Sequence, residues 1–363
     1  MDKNFFGLAL NLVPGIGSVL YKRLIDYFKS AEAVFSAPYQ EILKVDGIGS
    51  KAALAINNFT QNALVEEKLL LTKRAKARLL TLEDEDYPTN LLRINNPPPV
   101  LYVKGMIKKD DQFAVAVVGS RTPSKYGELV AGSISRDLAA EGITIVSGMA
   151  RGIDSISHRE ALYTGGRTIA VLGSGIDIIY PPENSGLFDK IVQNGAIVTE
   201  YPISTPPDGI NFPNRNRIIS GLSLGVVIVE AGAKSGSLIT AELAVRQGRK
   251  LFAVPGQIGS TGSKGTNRLI KDGATLIENA DDVLKTIIPP HRNYEKTTRG
   301  HRVEKELPRN AELIMTALSE EPLHIDVIAI KSKLHINEVS TILLNLELDD
   351  LITQLPGKVF AKN

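Results

Sequence analysis

Between residues 79 and 287 the sequence alternates short β-branched runs with helix-like segments, and no other feature constrains the fold as strongly. The apolar runs occupy residues 113–118, 143–146, 168–172, 196–199, 225–229 and 250–254. They lack the apolar/polar alternation of a half-exposed strand, so both faces of each strand are expected to be buried. Helix-like segments such as 127–141 and 237–247 separate them. The predicted fold class is therefore α/β, with a parallel sheet covered by helices on both faces.

Small residues follow nearly every predicted strand. They form the segments Gly119-Ser120-Arg121, Ser147-Gly148-Met149-Ala150-Arg151-Gly152, Gly173-Ser174-Gly175, Glu200-Tyr201-Pro202, Glu230-Ala231-Gly232 and Pro255-Gly256. Ligands of open parallel sheets bind outside the carboxyl ends of the strands. Glycine lets a ligand approach the backbone closely, and free N–H groups at helix starts attract anions. The alternative is that these glycines only form tight turns, but their recurrence on one edge favours a binding site.

Two segments supply polar and charged groups for this edge. Lys234-Ser235-Gly236-Ser237 with Thr240 opens a helix with hydroxyls and one ammonium group, without the spacing of a P-loop. Phe212 precedes Arg215, Asn216 and Arg217, which offers a stacking face and two phosphate clamps, and Arg121 is a third cation. The alternative for the arginines is a salt bridge with Glu230 or Glu200.

No set of residues predicts catalysis or metal binding. The chain has no cysteine, and neither a nucleophile elbow nor a metal-ligand spacing occurs. Asp154 and His158 are four residues apart on one helix, but a capping aspartate and a packed histidine are the commoner meaning of such a pair. We therefore expect no catalytic residue, metal or cofactor.

Residues 1–78 are predicted to form a helical domain in which two similar hairpins recur. Gly15 and Gly17 flank an isoleucine in the first hairpin, and Gly47 and Gly49 do so in the second, just before Lys51. Both hairpins resemble helix-hairpin-helix motifs, whose backbone N–H groups contact one phosphate without reading bases. A helical protein-interaction module is the alternative. A long helix is expected over residues 61–78.

The C-terminal residues 308–363 are predicted to form a winged helix of three helices and a β-hairpin, after a flexible linker at 288–307. The third helix, 336–350, carries Glu338, Glu347, Asp349 and Asp350 and no Lys or Arg. Four carboxylates facing phosphates are repulsive. We therefore expect this domain to bind protein or to pack on its own chain.

Charge and apolar patterning bear on location and partners. The formal net charge is +2, yet residues 1–78 hold eleven Lys/Arg against seven Asp/Glu, and residues 308–363 hold five against eight. The most apolar run, 222–233, is far shorter than the roughly 20 residues that span a bilayer. No signal peptide is recognised at the N-terminus. We expect a cytoplasmic protein with no membrane partner.

Taken together, the motifs of residues 110–280 resemble the DNA processing protein A family (DprA, also called Smf). The segments that carry the resemblance are 119–121 with 124–127, 147–154 with His158, 170–177 with Tyr180-Pro181, 212–221, 230–241 and 253–256. The resemblance implies an extended Rossmann-like core that binds single-stranded DNA and forms a homodimer. It also implies that the protein loads the RecA recombinase onto incoming DNA in natural transformation. On the matching positions, Arg121, Ser147, Gly148, Arg151, Arg215, Arg217 and 235–237 would line the DNA groove.

Two functions are weighed on these grounds. The favoured one is a non-catalytic factor that binds and protects single-stranded DNA. The alternative is a nucleotide-processing enzyme of the phosphoribohydrolase type, with Glu200 or Glu230 as acid or base; a Pro-Gly-Gly-x-Gly-Thr segment, which would favour it, is absent. The predicted DNA contacts are Gly119, Ser120, Arg121, Ser147, Gly148, Arg151, Gly152, Phe212, Arg215, Asn216, Arg217, Lys234, Ser235, Gly236, Ser237 and Thr240, with Gly15, Gly17, Gly47, Gly49 and Lys51 as secondary contacts.

Overall fold

The computed structural model describes residues 3–287, 308–318, 321–348, 351–355 and 357–362. The chain divides into two units, 1–300 and 301–363. The predicted linker, 288–307, lies outside the described residues. The boundary that the sequence suggests at residue 78 stays a prediction.

The first unit contains fourteen α-helices and nine strands among its described residues. Its helices are α1 (Lys3–Leu12), α2 (Ser18–Phe28), α3 (Ala31–Ser36), α4 (Tyr39–Ile42), α5 (Ser50–Asn57), α6 (Asn62–Arg74), α7 (Thr89–Leu92), α8 (Lys125–Ala140), α9 (Ile153–Tyr163), α10 (Ser185–Asn194), α11 (Asn211–Leu222), α12 (Ser237–Arg246), α13 (Lys264–Lys271) and α14 (Ala280–Ile287). Its strands are β1 (Arg78–Thr81), β2 (Val100–Gly105), β3 (Ala114–Val118), β4 (Thr144–Ser147), β5 (Thr168–Val171), β6 (Ala196–Thr199), β7 (Gly225–Ile228), β8 (Lys250–Ala253) and β9 (Thr275–Leu276).

These strands form one sheet in the order β1-β2-β6-β5-β4-β3-β7-β8-β9. From β6 to β9 every neighbouring pair is parallel, as the apolar runs predict. The strands β1 and β2 are antiparallel additions at one edge. Large parallel sheets of this kind need helices on both faces, because each face must be shielded from water.

Alternate residues of β3 show how both faces are buried. Ala114, Ala116 and Val118 join one apolar cluster, whereas Val115 and Val117 join another. Side chains of a strand point to opposite faces in turn, so an apolar run without alternation requires a cluster on each side. The first cluster also contains residues of the N-terminal helices, such as Tyr21 and Leu24, which are fully buried. The N-terminal helices therefore share a core with the sheet.

The predicted helix over 61–78 is wrong in its last turn. The helix α6 ends at Arg74, Lys76 has a left-handed φ of 53°, and Arg78 begins β1. Residues 78–81 pair with residues 100–103 of β2. The apolar pair Leu79 and Leu80 is buried there, so pairing across the sheet overrides local helix propensity.

The second unit is a winged helix, as predicted. Its elements are α15 (Arg309–Ala317), β10 (Leu323–His324), α16 (Ile325–Ser332), α17 (Ile336–Leu348), β11 (Ile352–Leu355) and β12 (Val359–Lys362). The strands form a sheet in the order β10-β12-β11, over a core that includes Ile314, Leu343 and Phe360. Asp349 and Asp350, which were predicted to lie on the third helix, are outside the described residues. No helix in the described parts of either unit combines the length and apolar character needed to cross a bilayer.

Candidate nucleic-acid interface

The strand order places a crevice between β3 and β7. The chain runs outward from β3 through β4, β5 and β6 on one side and through β7, β8 and β9 on the other. The loops after β3 and β7 therefore separate, and ligands of open α/β sheets bind at such a switch point. Because these strands are parallel, their carboxyl ends form one edge, which we call the carboxyl edge.

Four exposed or partly exposed side chains meet on the carboxyl edge beside this crevice. Arg121, Arg151, Tyr180 and Phe212 line one small pocket of about 30 Å³ with Gly148, Ala150 and Pro181. The guanidinium carbon of Arg121 lies 5.6 Å from the centre of the Phe212 ring. The Tyr180 and Phe212 ring centres are also 5.6 Å apart. Two cations beside two aromatic rings suit a chain of phosphates and bases.

Arg215 does not belong to this exposed group, which corrects its predicted role as a phosphate clamp. Its side chain is buried, and its Nη1 donates to the carbonyl oxygen of Gly148 at 2.7 Å and to that of Val171. Burial lowers the pKa of the Arg215 guanidinium to about 10, while the nearby Asp154 carboxylate opposes this shift. Its guanidinium carbon lies 5.8 Å from the Phe212 ring centre. Arg215 thus holds the loops beneath Phe212 instead of facing solvent.

Arg217 is also committed within the protein, as the alternative reading of the arginines allows. Its Nη2 lies 2.6 Å from Oε2 of Glu200, and the two side chains are only 12% and 19% exposed. Asn216 accepts a hydrogen bond from Nε of Arg215 at 3.2 Å. Arg217 is thus paired within the protein, whereas Asn216 is partly exposed and its contact with DNA stays a prediction.

At most of the predicted glycines of the carboxyl edge, other atoms of the protein fill the space that a Cβ would need. A Cβ added to Gly148 would lie 2.7 Å from Nη2 of Arg215 and from Oδ2 of Asp154, and one added to Gly119 would lie 2.8 Å from Ile153. Gly152 has a φ of +72° and packs on the backbone of Ser120 and Arg121. These glycines let the strand-end loops pack on each other, which by itself requires residues without a Cβ; their predicted backbone contacts with DNA stay predictions.

The predicted hydroxyls divide into buried and accessible groups. Ser147 is fully buried, and its Oγ donates to the carbonyl of Val117 at 2.7 Å. Ser237 and Thr240 are also buried, which corrects the expectation that these three contact DNA directly. Lys234 and Gly236 are exposed, Ser235 is partly exposed, and nothing lies within 4 Å of a Cβ built on Gly236. The accessible part of this loop is thus 234–236.

The Glu230 side chain extends from the end of β7 to the loop that follows β3. Its Oε2 accepts a hydrogen bond from Oγ of Ser124 at 2.5 Å, and both carboxylate oxygens lie 3.2 Å from the Ser124 amide nitrogen. Gly127 and Gly262 pack against the same carboxylate. An internal anion therefore occupies the N-terminus of α8, where a ligand phosphate would otherwise bind.

The remaining titratable groups near the edge are structural. Glu200 is paired with Arg217, although burial raises the pKa of its carboxyl group. His158 is fully buried, its Nδ1 lies 2.6 Å from Oγ1 of Thr168, and burial lowers its pKa to about 3. Asp154 accepts bonds from the amides of Gly148 and Ala150 at 3.1 and 3.4 Å. Among the described residues no group of His, Asp and Glu has the arrangement of a metal site.

The two N-terminal hairpins have the same backbone form. Gly15 and Gly47 have φ values of +87° and +85°, a conformation that favours glycine. Gly17 and Gly49 precede α2 and α5 in extended conformation, and nothing lies within 4 Å of a Cβ built on either. Lys51 is exposed in the first turn of α5. Arg23 of α2 joins the hairpins, since its Nη1 lies 2.8 Å from Oδ2 of Asp46.

Sequence reasoning missed Tyr180 as a site residue. It follows the strand-end segment 173–175 and is 37% exposed beside Phe212. An aromatic residue shortly after a glycine-rich strand end was the available signal.

Comparison with known families and proteins gives consistent matches. The family described as DNA recombination-mediator protein A matches residues 78–288, and the DprA winged helix domain matches residues 301–358. The chain is 37% identical to the protein Smf of Synechocystis over 394 residues, covering 98% of each chain. It is 41% identical to the DNA processing protein DprA of Bacillus subtilis, covering 60% of this chain and 73% of that protein.

Two solved structures are similar. DprA from Streptococcus pneumoniae superposes with a TM-score of 0.69 at 32% identity, covering 80% of this chain and all of that one. DprA from Helicobacter pylori, described by its single-stranded DNA binding mode, has a TM-score of 0.53 at 35% identity and covers 58% of this chain and 95% of that one.

Proposed function

The chain belongs to the DNA recombination-mediator protein A family, and we propose that it holds single-stranded DNA along the carboxyl edge of its large sheet. Proteins of this family are DNA-binding recombination mediators and not enzymes. The similar structure from Helicobacter pylori is one of a protein that binds single-stranded DNA. The observation that carries the proposal for this chain is the meeting of Arg121, Arg151, Tyr180 and Phe212 around one pocket.

The proposed contacts are fewer than the sequence suggests. Arg121 and Arg151 would face phosphates, and Phe212 with Tyr180 would stack on a base. Lys234, Ser235 and Gly236 would extend the phosphate track on the other side of the crevice. The side chain of Arg151 also forms a hydrogen bond with Glu183, but both remain more than half exposed, so a phosphate can compete for the guanidinium.

The test is the affinity of the full chain for labelled oligonucleotides, single- and double-stranded, at 50 and 200 mM salt. The wild-type protein should prefer the single strand, and its affinity should fall steeply with salt because phosphates dominate the contact. The variant Arg121→Ala should bind about tenfold more weakly and show a salt slope that is smaller by roughly one.

Arg246→Ala is the matched control for this test. Arg246 is 71% exposed on α12 and pairs with Glu242, four residues earlier on the same helix. Its loss should leave DNA affinity unchanged. Equal affinity of wild type and Arg121→Ala would contradict the proposed site.

The nucleotide-processing alternative is not favoured. Glu230 is bonded to Ser124, and Glu200 is paired with Arg217, so neither carboxylate is free to act as an acid or base. Free nucleotides added as competitors in the same titration should not displace the oligonucleotide.

We further propose partners that rest on family membership. A homodimer that protects incoming DNA in natural transformation and loads the RecA recombinase is consistent with the relatives' role in DNA processing. We place this activity in the cytoplasm. Strand exchange by RecA, measured with and without the protein, tests the loading step; no stimulation would refute it.

The two end regions are given different proposed partners. The twin hairpins would contact a DNA backbone through the open amides at Gly17 and Gly49, with Gly15 and Gly47 shaping the turns and Lys51 nearby. The winged helix would bind protein, because the described part of α17 carries Glu338 and Glu347 and no cation. Removing residues 308–363 should therefore leave duplex affinity unchanged.

A further inference from the structure

Tyr126 is an exposed aromatic residue on the carboxyl edge that the proposed site does not use. It lies in the first turn of α8, directly after the loop that follows β3, and it is 52% exposed. Its hydroxyl donates to the carbonyl oxygen of Pro255 at 3.0 Å. Pro255 follows β8, and β7 lies between β3 and β8. The side chain therefore bridges the edge on the side of the crevice away from Phe212.

The ring is held at both ends. On the helix side, Ser124 caps α8 through the Gly127 amide and is itself bonded to the Glu230 carboxylate. On the other side, the Asn267 side-chain amide donates to Gly256 O at 2.9 Å and accepts from Gly256 N at 3.1 Å. A ring fixed in this way loses little conformational freedom when a ligand packs on it.

About half of Tyr126 is accessible to solvent. Phe212 already contacts Tyr180, Arg121 and Arg215, whereas no ring-to-ring or cation–π contact of Tyr126 occurs among the described residues. A fixed, half-exposed ring can serve as a stacking surface for a nucleobase, because every base has a π-face.

Exposed cations follow three neighbouring strands of the carboxyl edge. In the order of the strands, Arg151 follows β4, Arg121 follows β3 and Lys234 follows β7. All three are exposed. Adjacent strands are about 4.8 Å apart, so β4 and β8 are separated by about 14 Å. At about 3.4 Å for each stacked nucleotide, this distance corresponds to about four nucleotides.

We propose that Tyr126 is a second base-stacking surface, so that a single strand crosses the crevice from Phe212 to Tyr126 with its phosphates over Arg121 and Lys234. This inference rests on the proposed function and adds to it the path that the DNA strand takes across the carboxyl edge. Both rings stack without hydrogen bonds to base edges, so binding should depend little on sequence.

The first test compares Tyr126→Ala with Tyr163→Ala in the full chain. Tyr163 is 64% exposed at the C-terminal end of α9, which runs away from the carboxyl edge, so it is a matched exposed tyrosine on the opposite edge. For a 15-nucleotide oligothymidylate, Tyr126→Ala should weaken binding by roughly 5- to 150-fold, the range for loss of one stacked base. Tyr163→Ala should bind like wild type. Equal binding by both variants would overturn the proposal.

A second test does not depend on the alanine variant folding. The chain contains no tryptophan, so Tyr126→Trp introduces a single indole at the edge. Saturating oligothymidylate should quench its fluorescence, whereas the indole of Tyr163→Trp should not respond. An unquenched Tyr126→Trp that still binds DNA would overturn the proposal.

The outcomes also separate this inference from the function on which it rests. If the wild-type chain fails to bind single-stranded DNA, the proposed function fails. If it binds, and Phe212→Ala weakens binding while the Tyr126 variants do not, only the crossing path fails.

Discussion

The carboxyl edge and the twin N-terminal hairpins are both rich in glycine, yet the space around their glycines differs. At the edge, the side chains of Arg215, Asp154 and Ile153 occupy the positions that a Cβ on Gly148 or Gly119 would take. At the hairpins, the corresponding positions beside Gly17 and Gly49 are empty. Glycine thus allows close packing of loops in one region and leaves space beside the backbone in the other.

This difference shows where binding groups remain available. At the edge, most glycines and two arginines, Arg215 and Arg217, are committed to contacts within the protein. Only a few side chains there remain exposed. The hairpins present only backbone. Removing a buried side chain at the edge should therefore lower the free energy of unfolding far more than a change of similar size at the hairpins.

The largest expected effect is that of Arg215→Ala. It leaves the Gly148 and Val171 carbonyls and the buried Asp154 carboxylate without their cation, which should cost about 3–5 kcal/mol of unfolding free energy. Urea denaturation measures this loss, and Arg246→Ala should stay within about 0.5 kcal/mol of wild type. A stable Arg215→Ala protein that merely binds DNA less well would show that Arg215 is a direct contact after all.

A smaller effect concerns pH and the buried His158 of α9. His158 stays neutral in the folded protein because its pKa is lowered to about 3, whereas the unfolded chain takes up the proton near pH 6.5. Stability should therefore fall as the pH drops from 6.5 towards 3, and between pH 7 and 5 His158 should account for about 2 kcal/mol of this loss.

His158→Leu isolates this contribution. Its unfolding free energy should vary less with pH than that of wild type by that amount. His335→Gln, at an exposed position in the winged helix, should keep the wild-type pH dependence. Identical pH dependence in His158→Leu and wild type would show that His158 is not buried neutral.

The smallest effect is expected at the hairpins. In the double variant Gly17→Ala, Gly49→Ala, alanine can adopt both φ values, near −90°, and its methyl groups meet no neighbour, so the stability cost is that of alanine at two helix N-caps, about 0.5 kcal/mol each. The methyl groups would hinder approach of a phosphate to the amides, so duplex affinity should fall about threefold. Gly186→Ala, also without a neighbour within 4 Å, is the control. Unchanged duplex affinity in the double variant would favour the protein-interaction alternative.

The sequence predicts the centre of the fold better than its border. The six apolar runs correspond to β3 through β8, because burial on both faces leaves a clear pattern in the residues. The strands β1, β2 and β9 were not predicted. β1 is a strand because residues 100–103 pair with it, which no local pattern encodes.

For the candidate site, the sequence indicates the edge but not which of its charges are exposed. Arg215 lies in a polar run and looks accessible. A helical reading would have placed it on the face of Ile218 and Ile219, three and four residues later, both of which are buried. Partnering of Arg217 with Glu200 depends on the distance between α11 and the end of β6, and sequence spacing does not give that distance.

The carboxylate of Glu230 at the start of α8 has a consequence for competition in the cell. A dinucleotide-binding fold normally offers its helix terminus to a single pyrophosphate. Here the Glu230 carboxylate already occupies the N-terminus of α8, so a monomeric ligand would gain little binding free energy there. A polymer gains instead by touching many weak points in succession. We therefore expect the proposed DNA-binding edge to favour long chains over small phosphorylated metabolites.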